Sequence, residues 1–442
     1  MDNKLVCDVE SYVDEVWEDV VADIARLVEV PSIAADDDGY VGMADVPGAQ
    51  AAQVATIAHV DVVPAGPGWA TDPFRMERRE GWLLGRGVID DKGPAVLSLY
   101  AGAYLIKRGI TPRYTFRALL GCDEEVGMTD VHHYLDSHED PAFLFTPDAE
   151  FPVCNAEKGC FGGTFASAPI TRGAIRSWSG AEATNAIPSE SVCVLDVPVS
   201  ELPEPQAHAD RLTVEAMDDG AVRILAQGVG GHASLPEGTV NAIALVVDYL
   251  LEVIAALPES FDPAEVSFID LLSRVHAGSD GTGIGIACAS PAFGPLTCNA
   301  GTVEVACGRI CQTIDVRFPD TIDADALEVR CRTLADEFGC GFEPTRAKPP
   351  FSVSADSPAV QTLLSVYREV TGKPAEPFSM GGGTYARNFK SAVSFGPEDN
   401  SLLLPAWAGT MHGPNEAASE ELLRDALKMY ILSILRLQNV EL

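Results

Sequence analysis

Apolar residues recur at every third or fourth position along the first thirty residues, which predicts a long amphipathic helix. The apolar stripe consists of Val9, Tyr12, Val13, Val16, Trp17, Val20, Val21, Ile24, Leu27 and Val28. Pro31 should end this helix, because proline has no amide hydrogen with which to continue the helical hydrogen bonds.

Short apolar strands and helices alternate over the next hundred residues. The pattern predicts strands near residues 54–59, over YTFRALLG from Tyr114 and over AFLFTP from Ala142, with a helix from Pro94 to Lys107. This alternation favours an α/β fold, a catalytic domain with a mostly parallel sheet flanked by helices. In such sheets, ligands bind beyond the carboxyl ends of the strands.

From residue 158 to 355 the pattern changes to strand pairs and two or three helices. RLTVEAMDDGAVRILAQG and TVEVACGRICQTIDVRF each alternate around a turn, which predicts two β-hairpins. We therefore expect an inserted α+β domain with an antiparallel sheet. A helix, a strand over SAVSFG and a closing helix from Glu420 follow, so residues 1–157 and 356–442 together should form the first domain.

Charge and composition argue against several classes of partner. The 442 residues carry 65 acidic and 30 basic side chains, and the net charge of −35 repels nucleic acids and anionic membranes. The acidic amino terminus resembles neither a secretory signal nor a transit peptide, and Asp248 and Glu252 interrupt the apolar run from Asn241. Eleven cysteines without a CxxC pair indicate reduced thiols. We expect a cytoplasmic protein that binds neither nucleic acid nor membrane.

The strand at residues 54–59 leads into the sequence His-Val-Asp. Alternation along a strand places His59 and Asp61 on the same side. The pair is either a structural hydrogen bond or a metal-binding histidine with the carboxylate that orients it. The two residues alone leave both interpretations open.

Two adjacent carboxylates, Asp90 and Asp91, lie in the glycine-bounded turn GRGVIDDKGP. Because they repel each other, the turn should have cations nearby, and Lys92 is one candidate. The alternative is a helix cap, since aspartate often precedes the first turn of a helix.

Further candidate ligands follow other strands. Asp123, Glu124 and Glu125 come after the strand from Tyr114, and Asp148 comes after the strand AFLFTP. Carboxylates at buried strand ends are costly unless they are solvated, paired or coordinated. A plain turn is the alternative for Asp148.

A second histidine, His412, lies in a glycine-flanked loop before a helix expected near Glu416, and an ordinary loop histidine is the alternative there. Two imidazoles and several carboxylates have the composition that a pair of zinc ions needs. One bridging carboxylate, with one histidine and one further carboxylate on each ion, would leave a position for water. Glu124 and Glu125 supply the additional carboxylate that must accept a proton.

Seven motifs occur along the chain in the order of a known family. They are HVDVVPAG, GPGWATDPF, GRGVIDDKGP, DEEVG, PDAEFP, GHAS and MHGPNE. The chain resembles the M20 metallopeptidase family, particularly its PepV-like dipeptidases, over most of residues 57–416.

The resemblance implies a site for two zinc ions, with cobalt or manganese as possible substitutes. The implied ligands are His59, Asp90 and Asp148 for one ion and Asp90, Glu125 and His412 for the other. Asp90 would be the bridge, Glu124 matches the general base, and Asp61 matches the acid that orients His59. The family also has a cis peptide bond after the bridging aspartate, here between Asp90 and Asp91.

The inserted domain resembles the lid domain of the family. His232 in GVGGHASLPEG matches the histidine that stabilises the oxyanion, and Asn185 and Arg317 match lid residues that contact substrate. A buried structural histidine is the alternative for His232.

The loop SMGGGTYARNF resembles a glycine-rich loop that receives a substrate carboxylate through backbone amides. The matching residues are Gly382 and Gly383, with Thr384 adding a hydroxyl group. A plain flexible turn is the alternative for three successive glycines.

The resemblance thus implies a zinc-dependent dipeptidase in which a metal-bound water loses its proton to Glu124 and attacks a carbonyl that His232 also polarises. N-acyl amino acid amidohydrolases such as succinyl-diaminopimelate desuccinylases and acetylornithine deacetylases share these motifs and are the alternative. The long lid and the stretch FGPLTCNAGTVEV favour the dipeptidases. A non-catalytic binding protein is disfavoured because every ligand position and the base position are filled. We expect a monomer, with a homodimer left open.

Overall fold

The computed structural model of the protein describes residues 3–34, 39–399 and 401–442. Its contacts divide the chain into two units. The first unit comprises Met1–Ala156, Ser352–Ser379 and Gly383–Leu442, and the second comprises Glu157–Phe351 and Met380–Gly382. The domain boundaries expected from the sequence, after residues 157 and 355, stay a prediction.

Eight α-helices lie in the described part of the chain. They are α1 (Asn3–Val28), α2 (Lys92–Lys107), α3 (Thr129–Ser137), α4 (Ala242–Ala256), α5 (Pro263–Val275), α6 (Ala324–Glu337), α7 (Pro358–Thr371) and α8 (Glu420–Leu437). Short 3₁₀ helices occur at Val199–Glu201, Pro258–Ser260, Thr282–Ile284 and Tyr385–Asn388.

The described part of the chain contains 24 β-strands. In the first half of the chain they are β1 (Gly42–Val46), β2 (Gln50–His59), β3 (Glu77–Arg79), β4 (Trp82–Leu84), β5 (Tyr114–Gly121), β6 (Phe143–Thr146), β7 (Cys154–Glu157), β8 (Gly159–Ala166), β9 (Ile175–Ser179), β10 (Ala186–Ile187), β11 (Glu190–Leu195) and β12 (Leu212–Ala216). In the second half they are β13 (Val222–Gln227), β14 (Gly231–His232), β15 (Ala289–Ser290), β16 (Gly294–Pro295), β17 (Thr297–Asn299), β18 (Val303–Ala306), β19 (Arg309–Phe318), β20 (Gly341–Lys348), β21 (Phe351–Ser352), β22 (Phe378–Met380), β23 (Ala392–Ser394) and β24 (Ala417–Ser419).

The main sheet of the first unit runs in the order β1-β5-β2-β6-β23-β7. Its central strands β5, β2, β6 and β23 are parallel to one another, while β1 and β7 pair antiparallel at either side. The last six residues of β2 are all buried, as expected of a strand that has parallel neighbours on both edges. The expected α/β fold with a mostly parallel sheet is confirmed.

The two ends of the chain pack together in the first unit. The predicted stripe of α1 is buried except for the partly buried Leu27, and α1 packs against α2 and α8. Strand β23 and helices α7 and α8 all come from the carboxyl-terminal part of the chain, so this unit is assembled from separate segments. Residues 1 and 2, which the sequence also placed in the first helix, lie outside the described residues.

The start of α2 depends on a glycine. A Cβ atom on Gly93 would lie 2.1 Å from the carbonyl oxygen of Val88, closer than any side chain allows. Glycine therefore lets the helix begin directly against the turn that carries Asp90 and Asp91. Proline at position 94 suits this first turn, where its missing amide hydrogen is not needed.

The second unit contains two larger antiparallel sheets, two two-stranded sheets (β10 with β14 and β15 with β16) and the helices α4, α5 and α6. One of the larger sheets has the order β12-β13-β11-β9, and the other has the order β17-β19-β8-β20 with β18 also paired to β19. Both predicted hairpins are confirmed, since β12 pairs with β13 and β18 pairs with β19. The apolar run from Asn241 forms α4, and the Asn241 side chain caps this helix by accepting a hydrogen bond from the amide of Ile243.

Two local expectations about charged residues are wrong. The closing helix expected from Glu420 is confirmed as α8, but the other expected start, near Glu416, is wrong because Glu416 is buried beside Arg86 and the short strand β24 follows it. Lys92 does not neutralise the aspartate pair. Its ammonium group donates to the carbonyl oxygens of Leu27 and Val30 at the end of α1.

Among the described residues, no helix is both long and apolar enough to cross a membrane. The cysteines of the described chain are all free thiols.

Replacing Leu427 with alanine tests the packing of α8 against the core. Leu427 is fully buried, so the cavity left by the mutation should cost about 2–5 kcal/mol in the free energy of unfolding. The control is Leu403→Ala at a side chain that is 92% exposed, where a change within about 0.5 kcal/mol is expected. Urea unfolding followed by circular dichroism measures both, and equal effects would contradict the assigned burial.

Candidate metal centre and catalytic residues

Three parallel strands bring candidate ligands to one edge of the main sheet. In the register of the sheet, His59 at the end of β2 lies beside Gly121 at the end of β5, and Thr56 lies beside Phe145 of β6. The loops that leave these strands carry Glu124, Glu125 and Asp148. The carboxyl ends of parallel strands thus collect side chains from distant parts of the sequence.

His59 is oriented by its neighbours on the loop that follows β2. Its ring nitrogen Nδ1 lies 3.0 Å from the backbone oxygen of Asp61 and 3.4 Å from the Asp61 carboxylate. Its other nitrogen, Nε2, lies 2.9 Å from Oδ1 of Asp90 and 4.0 Å from Oδ1 of Asp148. An Nδ1–H that donates to Asp61 leaves Nε2 available for a metal ion.

Asp61 also makes a contact that the sequence did not reveal. Its Oδ2 accepts a hydrogen bond from the backbone amide of Glu125 at 3.1 Å. One carboxylate therefore links the loop that carries His59 to the loop that carries Glu124 and Glu125.

Asp90 lies between the two histidines. Its Oδ1 faces His59, and its Oδ2 lies 2.7 Å from Nε2 of His412. The peptide bond between Asp90 and Asp91 is cis, as the resemblance implied. A carboxylate with one oxygen toward each imidazole has the arrangement expected of a bridging ligand.

Asp91 occupies the residue before α2, but its side chain forms no cap hydrogen bond to the helix. Its Oδ2 instead accepts a hydrogen bond from the backbone amide of His59 at 3.2 Å. The capping alternative is therefore wrong, and Asp91 supports the turn by tying it to the end of β2.

His412 lies on a loop and has a positive φ of 60°. Its side chain is 54% exposed, whereas that of His59 is 1% exposed. Nε2 of His412 lies 3.3 Å from Oε2 of Glu125 in addition to its contact with Asp90. The loop therefore brings an imidazole to the carboxylates from the solvent side.

Two overlapping groups of side chains have the spacing of metal ligands. In each group, one ligand atom from every residue lies within 4.8 Å of the others. The groups are His59, Asp90 and Glu125, and His59, Glu124 and Asp148. Distance alone therefore admits both Glu124 and Glu125 as ligands.

Burial and neighbouring charges strongly shift the pKa values of several side chains in this cluster. Burial raises the pKa of Glu124 well above its ordinary value and that of Asp148 to about 7, with further contributions from neighbouring carboxylates. Hydrogen bonds to Asp90 and Glu125 raise the pKa of His412 to about 11. Without added cations the cluster therefore holds protons at neutral pH, which is the behaviour of a site built for positive charge.

His59 and Asp90 show opposite perturbations. Burial would lower the pKa of His59, but its hydrogen bonds to Asp61 and Asp90 raise it well above the ordinary value. Burial would raise the pKa of Asp90, yet hydrogen bonds from His412 and His59 hold it well below its usual range. Asp90 therefore stays anionic between the two histidines.

These donors fit a pair of divalent metal ions. Imidazole nitrogen and carboxylate oxygen suit zinc, cobalt and manganese. Oε1 of Glu125 is buried and accepts no hydrogen bond from the described residues, so it has an unused lone pair at the cluster. The arrangement can hold cations, orient a water molecule and accept a proton from it.

The loop after β5 is supported by a tyrosine that sequence reasoning missed. The hydroxyl group of Tyr385 donates to Asp130 at 2.6 Å and accepts a hydrogen bond from the amide of Asp123 at 3.2 Å. Asp130 also accepts from the amide of Cys122. A Cβ atom on Gly121 would lie 2.2 Å from the tyrosine oxygen, so glycine is needed there. The contact spans distant parts of the sequence, and no local pattern announces it.

The second unit brings together two of the candidate lid residues. Strands β10 and β14 pair Ala186 with His232, and Nδ2 of Asn185 lies 3.4 Å from Nε2 of His232. Nδ1 of His232 lies 2.7 Å from the hydroxyl oxygen of Ser234. His232 is exposed, so the alternative of a buried structural histidine is wrong.

Arg317 is buried in the second unit and already has several partners. It forms an ion pair with Asp315 at 2.6 Å and donates to the carbonyl oxygen of Gly381 at 2.7 Å. It also donates to Sγ of Cys160 at 3.1 Å. Arg317 therefore holds the glycine-rich loop, and its contact with substrate stays a prediction.

The glycine-rich loop is divided between the units, with Gly382 in the second and Gly383 and Thr384 in the first. The hydroxyl group of Thr384 accepts a hydrogen bond from the amide of Ala386 and lies 3.2 Å from that of Ser394. Thr384 thus caps the following 3₁₀ helix. Carboxylate binding by this loop stays a prediction.

Imidazoles and carboxylates gathered beyond the strand ends of an α/β unit are typical of hydrolases that bind metal ions. The chain belongs to peptidase family M20/M25/M40, whose model matches residues 55–436. It is accordingly an enzyme of the hydrolase class.

Relatives and solved structures agree with this family. The chain is 30% identical over 410 residues to the Beta-Ala-Xaa dipeptidase of Lactobacillus delbrueckii subsp. lactis, covering 89% of this chain and 84% of that protein. It is also 30% identical over 397 residues to the YtjP protein of Bacillus subtilis (strain 168), covering 87% and 82%. Human carnosine dipeptidase 1 shares the fold with a TM-score of 0.60, 13% identity and 99% coverage of both chains.

Zinc binding to the metal-free protein at pH 7 should release protons, because an imidazole must lose its proton to bind a metal. Hydrogen bonds to carboxylates raise the pKa of His412 to about 11 in the metal-free protein and also raise the pKa of His59, so metal binding must displace protons from the cluster. Zinc affinity should therefore rise with pH. Titration calorimetry in buffers of different ionisation heats counts the protons.

The variant His412→Gln should release fewer protons, and the exposed His133→Gln control should match the wild type. Zinc binding without proton release would contradict the protonation assigned to the cluster.

Proposed function

We propose that the protein is a zinc-dependent dipeptidase. The observation that carries the proposal is the convergence of two imidazoles and four carboxylates at the strand ends of a peptidase-family chain. The relative from Lactobacillus delbrueckii subsp. lactis, which is 30% identical, is a Beta-Ala-Xaa dipeptidase. This likeness favours dipeptides over N-acyl amino acids as substrates.

Each metal ion would have a histidine, a carboxylate of its own and a share of Asp90. The proposed sets are His59, Asp90 and Asp148 for one ion and Asp90, Glu125 and His412 for the other. Support comes from the 2.9 Å and 2.7 Å contacts of Asp90 with the two histidines and from the contact of His412 with Glu125. When bound, such ions lower the pKa of a water molecule and polarise the carbonyl to be attacked.

Glu124 is the proposed general base. Its carboxylate would take a proton from the attacking water and pass that proton to the nitrogen of the leaving amine. Burial and the charge of Asp148 raise its pKa well above the ordinary value, which makes a carboxylate a stronger base. Asp61 would keep His59 oriented and, through the amide of Glu125, fix the loop that carries the base.

The roles of His232, Asn185 and Arg317 rest on the sequence resemblance. His232 would stabilise the oxyanion, while Asn185 and Arg317 would contact the substrate. The contact between Asn185 and His232 supports a shared role for these two residues. Gly382, Gly383 and Thr384 would receive the substrate carboxylate.

We further propose that the enzyme works as a monomer in the cytoplasm. Free cysteines throughout the described chain support a reducing compartment.

Replacing Glu124 with alanine should remove catalysis while leaving metal binding intact. The loss of a general base lowers turnover by about 10²–10⁴-fold. Metal content is measured by elemental analysis, and turnover is measured on a dipeptide. The matched control is Glu139→Ala, an exposed glutamate of the same unit that should leave both unchanged. Wild-type turnover in Glu124→Ala would rule out the assigned base.

A substrate panel separates the dipeptidase from its alternatives. Zinc-loaded protein should hydrolyse dipeptides, including β-alanyl dipeptides, much faster than N-acetylornithine or N-succinyl-diaminopimelate. Release of free amino acids, followed by chromatography, measures all of these reactions. A preference for the N-acyl substrates would support the amidohydrolase alternative, and zinc binding without hydrolysis of any substrate would support a binding protein.

A further inference from the structure

A buried ion pair lies close to the candidate metal centre without belonging to it. Nη1 of Arg86 donates to Oε2 of Glu416 at 2.6 Å, and each side chain is 1% exposed. Arg86 is among the largest fully buried side chains of the protein. A buried charge is costly unless it is paired and hydrogen-bonded, so both residues have a specific structural purpose.

The other end of Arg86 holds two separate loops. Its Nη2 lies 3.3 Å from the carbonyl oxygens of Pro64 and Ala65, which follow His59 along the chain. The same nitrogen lies 3.1 Å from the carbonyl oxygen of His412. A single guanidinium group therefore fastens the loop after the first histidine to the loop of the second.

Glu416 fastens the segment that carries the bridging aspartate. Its Oε1 accepts hydrogen bonds from the amides of Gly87 at 3.0 Å and Ile89 at 3.2 Å. Its backbone oxygen accepts from the amide of Gly85 at 3.0 Å. The residues directly before Asp90 are thus bound to the segment directly after His412.

Trp69, from the motif GPGWATDPF, completes this arrangement. The guanidinium carbon of Arg86 lies 5.3 Å from the centre of the indole ring, a cation–π contact. The indole nitrogen donates to the carbonyl oxygen of Ala65 at 2.7 Å. The amide of Ala70 donates to the side chain of Asn415 at 2.7 Å. The motif therefore adds a second connection between the same two loops.

We propose that Arg86 and Glu416 are positioning residues that set the separation of His59, Asp90 and His412. The Arg86–Glu416 pair contributes no ligand atom, yet it joins the three chain segments on which those ligands lie. Its removal should weaken metal binding by letting the segments move apart, because outer contacts of this kind tune a metal site strongly. This inference rests on the proposed metal centre.

The test compares Arg86→Met and Glu416→Gln with the wild type in a zinc titration of metal-free protein. Loss of contacts that orient metal ligands costs about 10–100-fold in affinity, and this is the expected effect of Arg86→Met. Glu416→Gln keeps an acceptor for Gly87 and Ile89 but turns an amide N–H group toward Arg86 and leaves the guanidinium charge unpaired, so it should also weaken zinc binding. Arg86→Lys keeps the charge but not the forked geometry and should recover only part of the affinity.

A second arginine serves as a control that separates positioning from general stability. Arg78 forms an ion pair with Glu420 at 2.7 Å in the same unit, and its other hydrogen bonds go to Glu18, which is not a candidate ligand. Arg78→Met should leave zinc affinity unchanged even where the thermal midpoint falls. Wild-type zinc affinity in Arg86→Met, or an equal loss in Arg78→Met, would overturn the proposal.

Hydrogen exchange of the metal-free protein gives a second measurement that needs no metal. Arg86→Met should speed amide exchange at residues 85–89 and 409–417 relative to the wild type. Unchanged exchange there would also overturn the proposal. If Arg86→Met does not fold, Trp69→Leu replaces it in both measurements and should give a smaller loss of the same kind. Absence of zinc binding by the wild type would instead defeat the proposed function, and the exchange measurement would still decide the role of the pair.

Discussion

Mutual repulsion among crowded carboxylates is the constraint on which the rest of this structure depends. Glu124, Glu125, Asp90 and Asp148 share one edge of a parallel sheet, where burial makes each negative charge expensive. Two imidazoles offset part of this charge, and Asp90 stays anionic because it faces both of them. The fold holds these groups close although they would otherwise separate, which is how a protein prepares a site for cations.

Much of the fold followed from local patterns because those patterns are physical requirements of burial. The stripe of α1, the apolar run of β2 and the alternation of β12 and β13 each report which face of an element is covered. The start of α8 at Glu420 also followed from the pattern, whereas the second expected start, near Glu416, did not hold. Glu416 resembles the first residue of a helix, but its partner Arg86 lies 330 positions away, and only the folded chain brings them together.

Some features of the candidate site could likewise be predicted from local patterns, and others could not. Candidate ligands that follow strands, such as His59 and Asp148, could be recognised from those strands. His412 lies in a loop, and only the family resemblance identified it as a candidate ligand. The second contact of Asp61 and the support from Tyr385 join distant loops, so a local pattern could not show them. Lys92 shows the opposite failure. Its position beside Asp90 and Asp91 suggested that it neutralises them, but its ammonium group donates to carbonyl oxygens at the end of α1.

The assembly of the first unit from both ends of the chain has a consequence for its synthesis. A ribosome makes α1, α2, the strand that carries His59 and the loop that carries Asp148 long before it makes α8 and the loop of His412. Until then the apolar faces of α1 and α2 that α8 covers have no partner, and the nascent chain lacks the imidazole of His412. A complete binding site for metal can therefore arise only after the loop of His412 has been translated.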